Sequence, residues 1–178
     1  MEYNDIYDKD RHFTGRTHLR GTPWKKGEYG LVACVWVHNG KGKLLLTRRA
    51  SGKSFAGTWE NSGGAVKAGE DSVTAIAREL YEETGILADA SEFELIDCGR
   101  DGNTHYDYYC LKRDVPLEDI KLQPGETDAA KWVTFWQVHE MIQNKQICYI
   151  IAHQFRRQEQ MLLTRQSAQN KLALDGYL

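Results

Sequence analysis

The stretch Gly64–Ile86, GAVKAGEDSVTAIARELYEETGI, constrains this chain more than any other. It follows Gly63, passes Gly69, and reads as a loop leading into a helix from about Asp71 to Thr84. Asp71 or Ser72 can cap that helix by accepting a hydrogen bond from a free backbone N–H. Val73, Ile76, Ala77 and Leu80 recur at three- and four-residue steps, which lays one apolar stripe against a core. Gly85 stands where a left-handed residue would end the helix.

Charge is the second constraint. Glu79, Glu82 and Glu83 occupy positions i, i+3 and i+4, so their side chains leave neighbouring turns of one face. Like charges at that spacing cost a few tenths of a kcal/mol per pair. A hard divalent cation offsets the repulsion: Mg²⁺ takes carboxylate oxygens and shares its remaining sites with water and substrate phosphates. Three glutamates alone favour a solvated acidic face screened by Arg78 over a metal site.

The complete spacing separates the two readings. Gly64, five residues, Glu70, seven residues, then Arg78-Glu79-Leu80-x-Glu82-Glu83-x-Gly85-Ile86 resembles the Nudix box at every fixed position. From average residue usage, such a match arises by chance less than roughly once in a million chains of this length. The resemblance implies an α/β Nudix fold, a mixed β-sheet sandwiched between helices, with the box as a loop–helix–loop. It also implies hydrolysis of a diphosphate linkage in a nucleoside diphosphate joined to another group. Within that pattern Glu79, Glu82 and Glu83 are the implied Mg²⁺ (or Mn²⁺) ligands, with Gly63 contributing beside them. Arg78 holds a box carboxylate in place, Glu70 acts behind the ligands or on a further metal and is grouped with the substrate contacts, and Gly64 lets phosphates approach the backbone. The family often adds a carboxylate from outside the box. Glu126 and Asp128, before Trp132, are the candidates, and either is equally an exposed acidic loop residue.

Composition narrows the class. The chain has 178 residues, enough for one domain with a sizeable core. Its net charge of -2 argues against a nucleic-acid duplex as partner, though not against a nucleotide. No apolar run reaches the length of a membrane span, and the polar, acidic start MEYNDIYDKDRHF does not read as a signal peptide. A cytoplasmic protein with reduced core cysteines at positions 34, 98, 110 and 148 is expected; none has CxxC spacing. A homodimer is compatible with the resemblance.

Taken in order, residues 1–27 read as an extension packed on a single domain of residues 28–178. Short strands are expected around Asp5–Tyr7 and Arg16–Arg20, where Arg16, His18 and Arg20 alternate on one face. Those cations would contact an anionic substrate or blunt an edge strand. The lead-in DIYD…GRTHLRG resembles a Nudix branch related to isopentenyl diphosphate isomerase. Tyr29–Val37 and Lys43–Arg49 read as two strands of a hairpin around the turn His38–Gly42. Arg48 and Arg49 resemble the basic residues that Nudix proteins point at the substrate. Strand neighbours face opposite ways, so one of the two can do so. Lys53, in the loop that follows, is a candidate phosphate contact or a solvated lysine. Gly57-Thr58-Trp59-Glu60 resembles the family's lead-in to the box, with Trp59 in the core. Glu92–Cys98 and Tyr106–Leu111 alternate as strands. Tyr106, Tyr108 and Tyr109 are expected to pack rather than to stack on a base. Pro116–Gly125 reads as an irregular connection. A last strand at Lys131–Trp136 and helices at Trp136–Asn144 and from Tyr149 to about Leu172 complete the chain.

Two other readings compete. An isopentenyl diphosphate isomerase would suit the lead-in and the Lys131-Trp132-Val133 ending. That family uses a cysteine in a segment shaped like Trp-x-Asn-x-Cys-Cys, and here Trp59-Glu60-Asn61-Ser62-Gly63-Gly64 has none. A non-catalytic nucleotide sensor would usually show a decayed box, and this box is complete.

Overall fold

Alternation along β3 (Gly30–His38) sets the architecture. Leu31, Ala33, Val35 and Val37 point to one face of the sheet and Val32, Cys34 and Trp36 to the other. Both faces are apolar, so both must be covered. The computed structural model describes residues 1–175, with side-chain surroundings through Arg165; the final residues of the expected domain, 176–178, lie outside it. On one face α1 (Ser72–Thr84) lays Ala75, Ile76 and Leu80 against β3. On the other, α2 (Phe135–Gln143) and α3 (Tyr149–Asp175) bring Val138, Met141, Ile151, Phe155 and Leu162 against Trp36. The result is a mixed sheet between helices, as expected.

The sheet runs β5 (Trp59–Glu60), β4 (Lys43–Arg49), β3, β8 (Thr104–Lys112), β7 (Glu94–Asp101). β8 pairs parallel to β3 along its whole length. On its other edge β3 is shared. β6 (Ser62–Ala65) covers Val32–Val35, and β4 meets β3 only where His38 faces Leu44. The expected hairpin of β3 and β4 therefore opens after a single pair. β4 instead pairs along its length with β9 (Thr127–Thr134). The reason is that β6, arriving later in the chain, takes the edge that a hairpin would have used.

A separate two-stranded ribbon, β1 (Tyr3–Tyr7) and β2 (Phe13–Leu19), packs at the start of β3. Its backbone is tied in by Tyr7 and Tyr29, which exchange hydrogen bonds, and by Ala68 N donating to Tyr3 O. Arg11 reaches the buried carboxylate of Asp107 with two nitrogens at 2.6 and 2.5 Å. Arg16, His18 and Arg20 each have a partner within the chain. His18 is buried and stacked on Trp24, with ring centroids 3.7 Å apart. Arg16 pairs with Glu28, and Arg20 with Glu2.

Other boundaries shift for local reasons. The last strand ends at Thr134 rather than Trp136, because the Thr134 hydroxyl caps α2 by accepting from Gln137 N. Trp136 thus sits exposed on the first turn. β7 starts at Glu94, after a short turn at Ala90–Glu92. Trp59 is only partly buried, with the Lys131 ammonium 4.0 Å above its ring. Cys98 is exposed, unlike buried Cys110 and Cys148. The three tyrosines of β8 are buried packing residues. No helix among the described residues is long and apolar enough to cross a membrane.

Candidate functional site

The stripe that buries α1 also aims its acidic face. Asp71 caps the helix, its Oδ1 accepting from Thr74 N at 2.8 Å, and Gly85 ends it at φ 73°. With Ala75, Ile76 and Leu80 on the sheet, Glu79, Glu82 and Glu83 turn toward β6 and the loop before β9. Arg78, Glu79, Glu82, Glu83, Gln123 and Glu126 line a polar cleft of about 180 Å³ there. Glu2, Arg20 and Lys67 complete its rim.

Arg78 is the hub. Its Nε and Nη2 each donate to Glu70 at 2.9 Å, and Nη1 donates to Glu79 at 2.7 Å and to Glu82 at 3.4 Å. Paired with Arg78, the Glu70 carboxyl titrates below its ordinary range. The approach of helix and strand is close at Gly64. A Cβ there would lie 2.4–2.6 Å from the Glu79 carboxylate, so only glycine admits that carboxylate against the strand.

Glu83 differs from its neighbours. The sequence treats it as part of an exposed face, but it is buried, 8% exposed. Its Oε2 has no hydrogen-bond partner among the described residues. Burial first, and then the charges of Glu60, Glu79 and Glu126, push its carboxyl up to about 8, while the Ser62 hydroxyl works the other way. Such an orphaned, partly protonated carboxylate calls for a positive partner.

Of the expected contacts from outside the box, some arrive and some do not. Glu126 reaches the cleft, where Lys53 forms an ion pair with it. Asp128 does not. It faces outward and pairs with Arg48 at 2.6 Å. The bulge in β4 at Arg48/Arg49 and the strand's alternation send the two arginines apart. Arg48 lies over Trp59 and is not among the residues that line the cleft. Arg49 turns inward and grips Glu60, one nitrogen at 2.6 and 2.7 Å from its two oxygens. Gly63 lies in β6 opposite Cys34.

Glu60 is the residue that sequence reasoning passed over. It is half-buried, raised in pKa by burial, and close enough to Glu83 to raise it as well. Its signal was present in Gly57-Thr58-Trp59-Glu60, where only the tryptophan received a role. Alternation puts Glu60 on the opposite face from Trp59, the face of α1.

The donor set suits a hard divalent cation. It consists of oxygens and includes a buried carboxylate oxygen with no hydrogen-bond partner among the described residues. Among the described residues no three acidic, histidine or cysteine side chains are already drawn together as ligands. Arg78 holds Glu79 and Glu82 instead, and a cation would compete with it.

Comparison with known proteins agrees with this geometry. The NUDIX domain family matches residues 28–152. An uncharacterized Nudix hydrolase of Listeria monocytogenes is 35% identical over 136 residues, covering 75% of this chain and 80% of its own. An isopentenyl-diphosphate Delta-isomerase of Halorhodospira halophila is 32% identical over 144 residues, covering 74% and 79%. Among solved structures, DR0079 from Deinococcus radiodurans superposes with a TM-score of 0.75 at 22% identity, covering 88% of this chain and 98% of that one. At that identity the likeness speaks for the fold. The complete box, the family match over most of the chain and the hydrolases among its relatives make this chain a member of the Nudix family and an enzyme of its diphosphate-hydrolase type.

Proposed function

We propose that the chain is a divalent-metal-dependent hydrolase acting on a small organic diphosphate, with a nucleoside diphosphate joined to another group as the substrate class. The observation that carries this reading is the convergence of Glu79, Glu82, Glu83 and Glu126 on one cleft, with Glu83 buried and its Oε2 unpartnered. Glu79, Glu82 and Glu83, with the Gly63 carbonyl, would hold Mg²⁺ or Mn²⁺. When bound, the ion would neutralise phosphate charge and acidify a water.

The chain's own residues do the rest. Glu70 fixes Arg78, and Arg78 fixes Glu79 and Glu82, so the carboxylates are held before substrate arrives. Gly64 lets the Glu79 carboxylate lie directly against β6. Lys53 can exchange Glu126 for a phosphate oxygen, and Glu126, once released, is free to accept a proton from the attacking water. Arg49 anchors Glu60 behind Glu83 and keeps local negative charge high.

An isomerase reading has one observation in its favour besides its relative. The Cys34 thiol fills the space over Gly63: a Cβ on that glycine would lie 2.7 Å from Sγ. A thiol therefore stands next to the position where the isomerase-like segment carries its own. Burial pushes the Cys34 thiol up to about 12, against a hydrogen bond with Tyr108, so it stays protonated. The test is a panel of nucleotide conjugates and isopentenyl diphosphate incubated with Mg²⁺ in heavy-oxygen water. Label in a released phosphate product, with no solvent deuterium entering an isoprenoid in a parallel reaction, is the expected result. Deuterium exchange into isoprenoid without phosphate labelling would overturn hydrolysis.

A further inference from the structure

The family match begins at residue 28, so the β1–β2 ribbon lies outside it. Three consecutive residues of β1 nevertheless hold the loop of the box between Ala65 and Glu70. Asn4 Nδ2 donates to Val66 O at 2.8 Å. Tyr3 O accepts from Ala68 N at 2.8 Å, and Asp5 Oδ2 accepts from Gly69 N at 3.0 Å. Asn4 is buried, so its bond is shielded from water.

The loop needs these partners. Residues 67–70 form a turn closed by Glu70 N, which donates to Lys67 O at 3.0 Å, with Gly69 at φ 81°. Such a turn leaves its two middle amides unused, and here both, Ala68 and Gly69, go to β1. The Lys67 amide goes the other way and donates to Glu70 Oε2 at 3.1 Å. That oxygen also accepts from Arg78 Nη2 at 2.9 Å, while Arg78 Nη1 donates to Glu79 at 2.7 Å. An unbroken run of hydrogen bonds thus leads from Asn4 and Asp5 through the turn to Glu70, to Arg78 and to the acidic face of α1.

We propose that Asn4 and Asp5 are positioning residues for the metal site, acting through the turn on Glu70 and Arg78. The inference rests on the reading of Glu79, Glu82 and Glu83 as metal ligands. Glu70 takes two of the guanidinium's nitrogens, and so keeps Arg78 from pairing fully with Glu79 and Glu82. A turn released from β1 lets Glu70 drift. The guanidinium then settles on Glu79 and Glu82, and a cation must compete harder for them. On this account the ribbon supports the box from outside without touching a ligand.

The test uses Mn²⁺ alone, its binding to the full chain followed by electron paramagnetic resonance, with amide hydrogen exchange measured alongside. Asn4→Ala and Asp5→Ala should each weaken Mn²⁺ binding about tenfold, as the loss of a group that orients metal ligands does. The Lys67 amide, bonded to Glu70 and not to the ribbon, should exchange about tenfold faster in both. Asp5→Asn keeps an oxygen for Gly69 N and should restore both values. Thr14→Ala removes a bond internal to the ribbon, from the Thr14 hydroxyl to Ile6 O at 2.7 Å, and should change neither. The Asp5 contact is exposed, so its variants decide even where Asn4→Ala fails to fold. Unchanged Mn²⁺ affinity in the folded alanine variants, an equal loss in Thr14→Ala, or no rescue by Asp5→Asn overturns the proposal. If wild type binds no Mn²⁺, the metal reading falls instead. Lys67 exchange then judges the clamp by itself, and an unaltered rate in the alanine variants refutes it.

Discussion

Arg48 and Arg49 are neighbours on one strand, and each holds a carboxylate. Arg48 and Asp128 meet at the surface, both 42% exposed, whereas Arg49 and Glu60 are 20% and 14% exposed and stand behind the cleft. The outer pair is matched one to one and solvated. The inner region holds Glu60, Glu79, Glu82, Glu83 and Glu126 against Arg49, Arg78 and Lys53, more acidic than basic side chains, running from buried Glu83 out to Glu82 and Glu126 at the rim, 37% and 40% exposed. The comparison teaches that identical residue types a single position apart do different work. Screening makes the outer pair nearly neutral to stability, while burial makes the charges around Glu83 interdependent and leaves its Oε2 without a hydrogen-bond partner among the described residues.

The sharpest way to break that contrast is Glu83→Gln. It removes a proposed metal ligand from the inner cluster and should lower phosphate release measured with Mg²⁺ about a thousandfold or more, the equivalent of several kcal/mol of transition-state stabilisation. Near wild-type turnover in the purified variant would show that the metal site has been assigned wrongly.

Next in size is the stability of the two arginine variants. Arg49→Ala strands a half-buried Glu60 and should cost about 3 kcal/mol in denaturant unfolding. Arg48→Ala should cost no more than about 1 kcal/mol, because both members of its pair are largely solvated. Equal losses would mean that the inner pair is as well screened as the outer one.

pH gives a third measurement. The folded Glu83 carboxyl titrates near 8, above its ordinary 4.5, so the folded state binds more protons than the unfolded one between those values. Its stabilising contribution is therefore complete below about pH 4.5 and is lost as pH rises through 8. Buried His38 has the opposite sign: its pKa is lowered to about 4 from 6.5 by burial, so its effect is confined to acid. Above about pH 6.5 the Glu83 effect is isolated. Metal-free protein should lose about 2 kcal/mol of unfolding free energy between pH 6.5 and 8. Glu83→Gln should flatten that slope, and a slope unchanged in the variant would remove Glu83 as its source.

The smallest expected effect is Asp128→Asn, which should leave turnover within about twofold, because that carboxylate faces away from the cleft. Glu126→Gln should lower it by about a hundredfold, in the range typical of losing a general base. If the two variants fell together, the loop before β9 would be acting as a unit rather than through Glu126.

Much of this was fixed by local pattern. The cap at Asp71, the stop at Gly85, the apolar stripe of α1 and the i, i+3, i+4 carboxylates are short-range consequences of helical periodicity, and the sequence carries them in full. So are the two-faced β3 and the opposed directions of Arg48 and Arg49, which follow from a side-chain period of two. What the chain could not announce depends on which distant segments meet. Whether β4 stays with β3 is decided by β6 competing for the same edge, and Glu126 was separated from Asp128 only by the pairing of β9 with β4. The burial of Glu83 and the approach of Glu60 to it arise where segments far apart in sequence pack against one another. Electrostatic character depends on burial and on neighbours, and only the tertiary structure supplies those.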